Sequence, residues 1–358
     1  MKTKFNKNNT GHLKGYPLFL GEDLGIVDTI NIQYPKLEDL YQKQVSQIWN
    51  ETEINLTQDK MDMLHTNKDV VDLMVKTIMY QTVADSVASR SIIETLGKYI
   101  TNSELLNMAT VQTFFEVIHS RTYSHIIKQT FEDPSQMIND IYNEKMVMQR
   151  VEPIVKAFDE IENLPLDATD KEKRQAIIKT MVALLALEAI AFMGSFAVTF
   201  SITESGVFQG IGQLVTLICK DEVLHTRMDY EVLDILKKDN DWKLDMIFLS
   251  DSIKEILDCV LETEIRNADY IFSEGRQIIG LNADLLKEYI YYMSKPVYDQ
   301  LEVPFDYPVV EENPLPYMDK YIDSSLIMPT PQEMQLTSYK VGSIKDDTDN
   351  LDLEDFDF

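Results

Sequence analysis

Apolar residues recur at three- and four-residue steps through most of this chain, the spacing that keeps one face of an α-helix buried. In PKLEDLYQKQVSQIW, from Pro35 to Trp49, the stripe is Leu37, Leu40, Tyr41, Val45, Ile48 and Trp49. A second helical tract covers Asn67 to Ile100. Thr101 and Glu104 stand at the spacing of a capping box, which predicts a helix from there to about Phe131. Asp133-Pro134 then restarts the chain, with Asp as N-cap and Pro at the first helical position. Another capping box, Thr169 to Glu172, opens the most apolar stretch, and further helices are expected over roughly Gly206 to Leu236, Leu244 to Glu274, and from the Asn282 cap through Tyr291. No proline falls between Lys36 and Asp133 or between Leu166 and Lys295. The pattern predicts one large all-α domain, spanning residues 35–328.

The stretch from Met181 to Ile202 has 22 residues and one charge, Glu188, enough to pass for a transmembrane helix. An ionisable group within it and the lack of a basic flank favour a fully buried bundle helix instead. Seven prolines from Pro296 to Pro331 then change the character of the chain, and from Pro329 onward no apolar periodicity sustains a packed element. Residues 329–358 are therefore read as a disordered acidic tail. Residues 340–358 hold seven acidic side chains around Leu351, Leu353, Phe356 and Phe358, a composition suited to a segment that orders in a partner's groove. Residues 1–34 lack the apolar run of a signal peptide and are read as a loosely ordered arm.

A net charge of -27 disfavours nucleic acid or an anionic membrane as partner. The two cysteines, Cys219 and Cys259, are not paired in a CxxC motif, so neither a disulfide framework nor a thiolate metal site is indicated, and a cytoplasmic home is expected.

The candidate chemistry lies inside the helices. In TFFEVIHSRTYSHII, Glu116 and His119 share a helical face, and Tyr123 follows one turn after His119. DEVLHT repeats the step with Glu222 and His225. A lone Glu-x-x-His is weak, being as compatible with a hydrogen-bonded core pair, but two of them facing carboxylates from other helices are the recipe for a dinuclear metal site in a four-helix bundle. Asp85, in YQTVADS, and Glu188 supply those carboxylates. Four carboxylates in an apolar interior would not stay ionised unpaired, whereas two divalent cations would balance them, with His119 and His225 as neutral ligands. Mixed carboxylate and imidazole ligation suits iron or manganese. Tyr123 is near enough to give an electron and a proton to an oxidised metal pair, and Phe192, Phe196 and Ile218 are placed to keep water from its phenol. Asp221, about 100° round the helix from Glu222, is expected to accept a hydrogen bond from a ligating histidine. Trp49 reads as core packing, His125 as structural, and His12 and His65 as solvated.

These motifs, with LEAIAFMGSFAVTF, KDEVLH, the NPLPY segment at Asn313 to Tyr317 and the tail TSYKVG, resemble the radical-generating small (beta) subunit of class I ribonucleotide reductase over nearly the whole chain. The resemblance implies a ferritin-like helical bundle, a homodimer, and a di-iron-oxo centre on Asp85, Glu116, His119, Glu188, Glu222 and His225. It implies a stable radical on Tyr123, and a relay through Trp49, Asp221 and the tail residue Tyr339 into a large (alpha) subunit that reduces ribonucleotides. It implies two iron ions per chain, with manganese as the alternative. Lys220 stands where relatives commonly carry arginine. Tyr123 and the four carboxylates separate the chain from branches that replace them. The competing readings are a di-iron oxidase acting on a hydrocarbon and a ferritin-like storage module. Neither needs a tyrosine at 123 and a tyrosine-bearing acidic tail.

Overall fold

The computed structural model describes residues 3–322, which belong to a unit spanning Met1–Leu326. Helices α1 (Pro35–Val45), α2 (Thr57–His65), α3 (Lys68–Ser91), α4 (Ser103–Thr130), α5 (Pro134–Asn143) and α6 (Lys145–Glu162) lead to the central helix α7 (Asp170–Glu204). It is followed by α8 (Gln209–Leu236), α9 (Asn240–Phe248), α10 (Ser250–Ile271) and α11 (Ala283–Gln300). Among the described residues the only β pairing is two isolated bridges, Phe19 with Ile100 and Ile278 with Leu281. The all-α expectation holds.

The apolar run predicted to sit at the centre of the bundle does so. The most hydrophobic window of α7 is 100% buried inside the fold, so its length and composition serve the core. Helices α3, α4, α7 and α8 pack around one another and carry the candidate ligands. α7 is not regular throughout: Leu187–Ala191 forms a π-helical turn between Asp170–Ala186 and Phe192–Glu204, and Glu188 lies in it. Such turns insert an extra residue, which re-aims a side chain without ending the helix.

Several local expectations need correction. The helix carrying Glu116 is capped by Asn102, whose side chain accepts from the Leu105 N–H, and not by a Thr101–Glu104 box. Both of those side chains are used elsewhere: Thr101 Oγ1 donates to Pro17 O, and Glu104 accepts from the Gln33 N–H at 2.6 Å. For the same reason Tyr16 to Leu20 are held in place. The Leu20 N–H donates to Tyr99 O and the Thr101 N–H to Leu18 O, and Tyr16, Leu18 and Phe19 are buried. On α4, Phe114 and Val117 are exposed on the outer face, although apolar side chains flank Glu116 on both sides in the sequence. α11 continues past Tyr291 and through Pro296, because Tyr289, Ile290, Val297 and Tyr298 bury one continuous face. That burial offsets the roughly 3 kcal/mol an interior proline costs a helix. The second capping box, Thr169 with Glu172, and the Asp133 cap form as predicted.

The start of α8 is fixed from outside. Phe208 takes a left-handed backbone (φ 54°), and Asp62 and Asp59 of α2 accept from the N–H groups of Phe208 and Ile211, each at 2.8 Å. Carboxylates at a helix N-terminus satisfy orphan donors and match the helix dipole. This sets the register of the helix that carries Glu222 and His225.

Candidate metal centre

The structure brings all six predicted ligands together. α3 contributes Asp85, α4 Glu116 and His119, α7 Glu188, and α8 Glu222 and His225, all without solvent exposure. Two groups form: Asp85, Glu116, His119 and Glu222, and then Glu116, Glu188, Glu222 and His225, with one ligand atom from each residue lying within 4.8 Å of the others. Glu116 and Glu222 belong to both, so they sit between two potential cation positions. Antiparallel packing of α4 and α8 creates this symmetry: His119 Nδ1 lies 3.0 Å from Glu222 Oε1 and His225 Nδ1 lies 2.9 Å from Glu116 Oε1.

Those short contacts do not satisfy the site. Both oxygens of Asp85 and of Glu116, one oxygen each of Glu188 and Glu222, and His119 Nδ1 are buried without a hydrogen bond. Buried polar atoms are nearly always partnered, and an unmet carboxylate is among the costliest exceptions. Seven orphaned donor atoms of oxygen and imidazole nitrogen, converging from four helices, fit a pair of divalent cations.

Charge points the same way. Burial pushes Asp85 well above the usual carboxylate range, and the neighbouring Glu116 and Glu222 charges add to it. Glu188 is raised by burial and then by Asp229. Burial alone would depress the histidines, but Asp221, Asp85 and Glu222 outweigh it at His119, and Glu222 and Glu116 raise His225 to about 10. Glu222 goes down: burial opposes its charge, and the two imidazoles override that effect. Without cations, these shifts favour the protonated forms of the histidines, Asp85 and Glu188.

The surrounding groups orient the ligands. Asp221 Oδ2 is 3.1 Å from His119 Nε2 and accepts from Trp49 Nε1 at 2.8 Å, while Gln44 donates to Oδ1 at 3.1 Å. A carboxylate only accepts, so His119 donates from Nε2 to Asp221, which leaves Nδ1 as the atom that would face a cation. Trp49, expected to be core packing from the residues alone, is 4% exposed and hydrogen-bonded in this chain of contacts. Tyr123 is fully buried, its hydroxyl has no partner, and burial followed by the Asp85 and Glu222 charges raises it well above an ordinary phenol. Phe192, Phe196 and Ile218 are fully buried as well, the two rings stacked at 5.6 Å. Tyr339 lies outside the described residues. His125 is half-buried, and His12 and His65 are exposed.

Three participants escaped the sequence reading. Gln112 donates to Glu188 Oε1 at 2.9 Å, Gln44 anchors Asp221, and Asp229, buried and raised by burial, touches Glu188. Gln112 is four residues before Glu116 and Asp229 four after His225, so helical spacing contained the signal. Also unforeseen is a buried ion pair, Arg150 to Glu264, bidentate at 2.7 Å, with the guanidinium 3.2 Å from the centre of the Tyr80 ring.

Comparison with known proteins agrees with this geometry. Residues 27–314 match the family described as ribonucleotide reductase, small chain. The ribonucleoside-diphosphate reductase subunit beta of Haemophilus influenzae is 28% identical over 99% of both chains, and that of Enterobacteria phage T4 is 27% identical over 99% of both. The ribonucleotide reductase R2 subunit from Clostridium botulinum superposes with a TM-score of 0.81 at 21% identity, covering 90% of this chain and 98% of that one. The dimanganese(II)-NrdF of Streptococcus sanguinis gives 0.67 at 18% identity, over 83% and 99%. At these identities the structural matches speak for the fold.

Proposed function

Because this chain belongs to the ribonucleotide reductase small-chain family and is the small subunit of a class I enzyme, we propose that its buried cluster holds two iron ions serving a radical on Tyr123. The observation that carries the reading is the pair of four-residue groups sharing Glu116 and Glu222. Asp85 and His119 would hold one ion and Glu188 and His225 the other, with Glu116 and Glu222 belonging to both groups. When bound, the ions supply the redox chemistry with oxygen that removes one electron and one proton from a nearby phenol.

The protein does the rest. Gln112 fixes the rotamer of Glu188, and Asp221 fixes the His119 tautomer. The Tyr123 hydroxyl has no hydrogen-bond partner and lies in a buried, negatively charged setting, so the resting phenol keeps its proton. Enclosure by Phe192, Phe196 and Ile218 excludes water, which lengthens the life of the oxidised ring. Trp49 Nε1–H, Asp221 and His119 Nε2 form a continuous hydrogen-bonded line along which the oxidising equivalent leaves the centre. Tyr339 continues it into the large subunit, docked by residues 329–358, while residues 35–328 form the helical domain and 1–34 an arm upon it.

Iron is preferred over manganese because the EVIHSRTYSHI wording resembles iron-type subunits; the donor set itself accepts either. The relatives' names make ribonucleoside diphosphates the substrate class. A homodimer in the cytoplasm completes the proposal. Anaerobic titration of metal-free protein with ferrous iron, followed by oxygen and a reductase assay with a large subunit, tests it. Saturation at two ions per chain and oxygen-dependent turnover are expected; saturation at one, or turnover without oxygen, would overturn it.

A further inference from the structure

Phe192, Phe196 and Phe200 stand four residues apart on α7, so their rings lie along one face of the helix. All three are fully buried and form a continuous column: Phe192 stacks on Phe196 with ring centroids 5.6 Å apart, and Phe196 meets Phe200 at 6.2 Å. Tyr80 of α3 extends it inward, its ring 6.3 Å from that of Phe192. The outer end is closed by a ring from a distant part of the chain. Tyr321 stacks face to face on Phe200, the centroids 3.7 Å apart and the planes 6° from parallel.

The register of the helices sets the column beside Tyr123. His225 lies against Glu116 and Glu222 against His119, so α4 and α8 are antiparallel. Glu188 shares a ligand group with Glu222 and His225, and Thr203 packs against Gly212, where a Cβ would stand 2.8 Å from Thr203 Cγ2, so α7 and α8 are antiparallel as well. Tyr123, Ile218 and Phe196 then fall at one level of the bundle, roughly two helical turns beyond Glu116. Tyr321 is fastened to the same helix at more than one point. Its hydroxyl donates to Glu204 Oε1 at 2.6 Å, Lys320 pairs with that carboxylate, and Tyr317, four residues earlier, donates to Ala197 O at 2.8 Å. Leu315 and Met318 of this segment are buried. The Tyr321 ring is half-buried, and it is the one member of the column that meets solvent.

We propose that Tyr321 is a positioning residue for the Tyr123 radical: its ring seals the column from outside, holds Phe200, Phe196 and Phe192 in one arrangement, and so keeps small reductants from the phenol. The role rests on Tyr123 carrying the radical. Protein interiors are close-packed, so a gap opened at Phe200 passes to Phe196 as rotamer freedom instead of being absorbed where it arises. Leucine at position 321 fills part of the volume but offers no stacking plane. Phenylalanine keeps the plane and loses only the hydrogen bond to Glu204.

The full chain is loaded with ferrous iron and oxygen, and the decay of its tyrosyl signal in hydroxylamine, a small soluble reductant, is followed by electron paramagnetic resonance. Wild type, Tyr321→Leu, Tyr321→Phe and Phe200→Leu are compared. Equal metal content and equal initial signal are expected in all four. Decay should be several-fold faster in both leucine variants and unchanged in Tyr321→Phe. A second readout needs neither metal nor radical: amide hydrogen exchange of the metal-free chain should rise over residues 192–200 in the leucine variants and stay at the wild-type level in Tyr321→Phe. If Tyr321→Leu does not fold, Tyr321→Met, which also lacks a ring plane, takes its place. Equal decay in wild type and Tyr321→Leu overturns the proposal and leaves Tyr123 as the radical site. Decay as fast in Tyr321→Phe as in Tyr321→Leu assigns the effect to the Glu204 bond, and exchange raised across the whole bundle assigns it to general loosening; either overturns the sealing role of the ring. A wild type with no tyrosyl signal overturns the Tyr123 reading, and the role of Tyr321 with it.

Discussion

At the scale of single residues, the centre is a problem of charge whose solution is visible in which atoms lack partners. Glu116 belongs to both ligand groups, so Glu116→Ala should give a folded protein that binds fewer than two ions per chain and forms no radical. Metal analysis showing two tightly held ions in that variant would contradict the assignment. Protons and cations compete for the same atoms. Burial and neighbouring charges raise Asp85 and Glu188, and neighbouring carboxylates raise His119 and His225, in the metal-free chain, which favours their protonated forms, so metal loading should release protons. Apparent affinity should therefore rise with pH, by about tenfold per unit for each proton displaced. A pH-stat titration that records no acid release would show that these groups are already deprotonated. The repeated Glu-x-x-His step, Asp85 and Glu188 were legible in the sequence because charged residues stand out in apolar helices. Gln112, Gln44 and Asp229 were not, because a polar residue at helical spacing reads equally well as a solvated face.

At the scale of elements, the ligands are placed by features that sequence patterns carry unevenly. Helix identity followed from periodicity, and the Thr169 and Asp133 caps from local spacing. The Thr101–Glu104 box failed because both side chains were claimed by the N-terminal arm, a long-range choice no local pattern encodes. The π-turn at Leu187–Ala191 and the passage of α11 through Pro296 are likewise tertiary outcomes. So is the pair between Arg150 of α6 and Glu264 of α10, both almost fully buried. Arg150→Met should destabilise the fold by about 3–5 kcal/mol, because it strands a buried carboxylate. Replacing both partners, Arg150→Met with Glu264→Leu, should recover most of that loss. Denaturant midpoints provide the check, and a double variant as unstable as the single one would mean that the pair itself, and not the stranded charge, holds α6 to α10.

At the scale of the whole molecule, the proposed role of the chain is to supply an oxidant. Reduction of a ribose needs a thiol pair and a radical thiol, and this chain has two cysteines, one buried and one exposed. Turnover therefore depends on a large subunit. Deleting residues 351–358 should abolish binding to that subunit while sparing metal loading and the radical, since Leu351, Leu353, Phe356 and Phe358 are the apolar side chains of an otherwise acidic segment and its proposed anchors. Tyr339→Phe should keep both binding and radical and lose turnover. Unchanged affinity after the deletion, measured by surface plasmon resonance, would remove the docking role of the tail. The central claim is that the buried cluster places a radical on Tyr123. It is tested most directly by electron paramagnetic resonance on protein made with ring-deuterated tyrosine, after ferrous iron and oxygen are added to the metal-free chain. The account predicts a persistent doublet that narrows on deuteration and is absent from Tyr123→Phe, although that variant still binds two ions and consumes oxygen. A doublet that survives in Tyr123→Phe, or a signal that deuteration does not narrow, would contradict it.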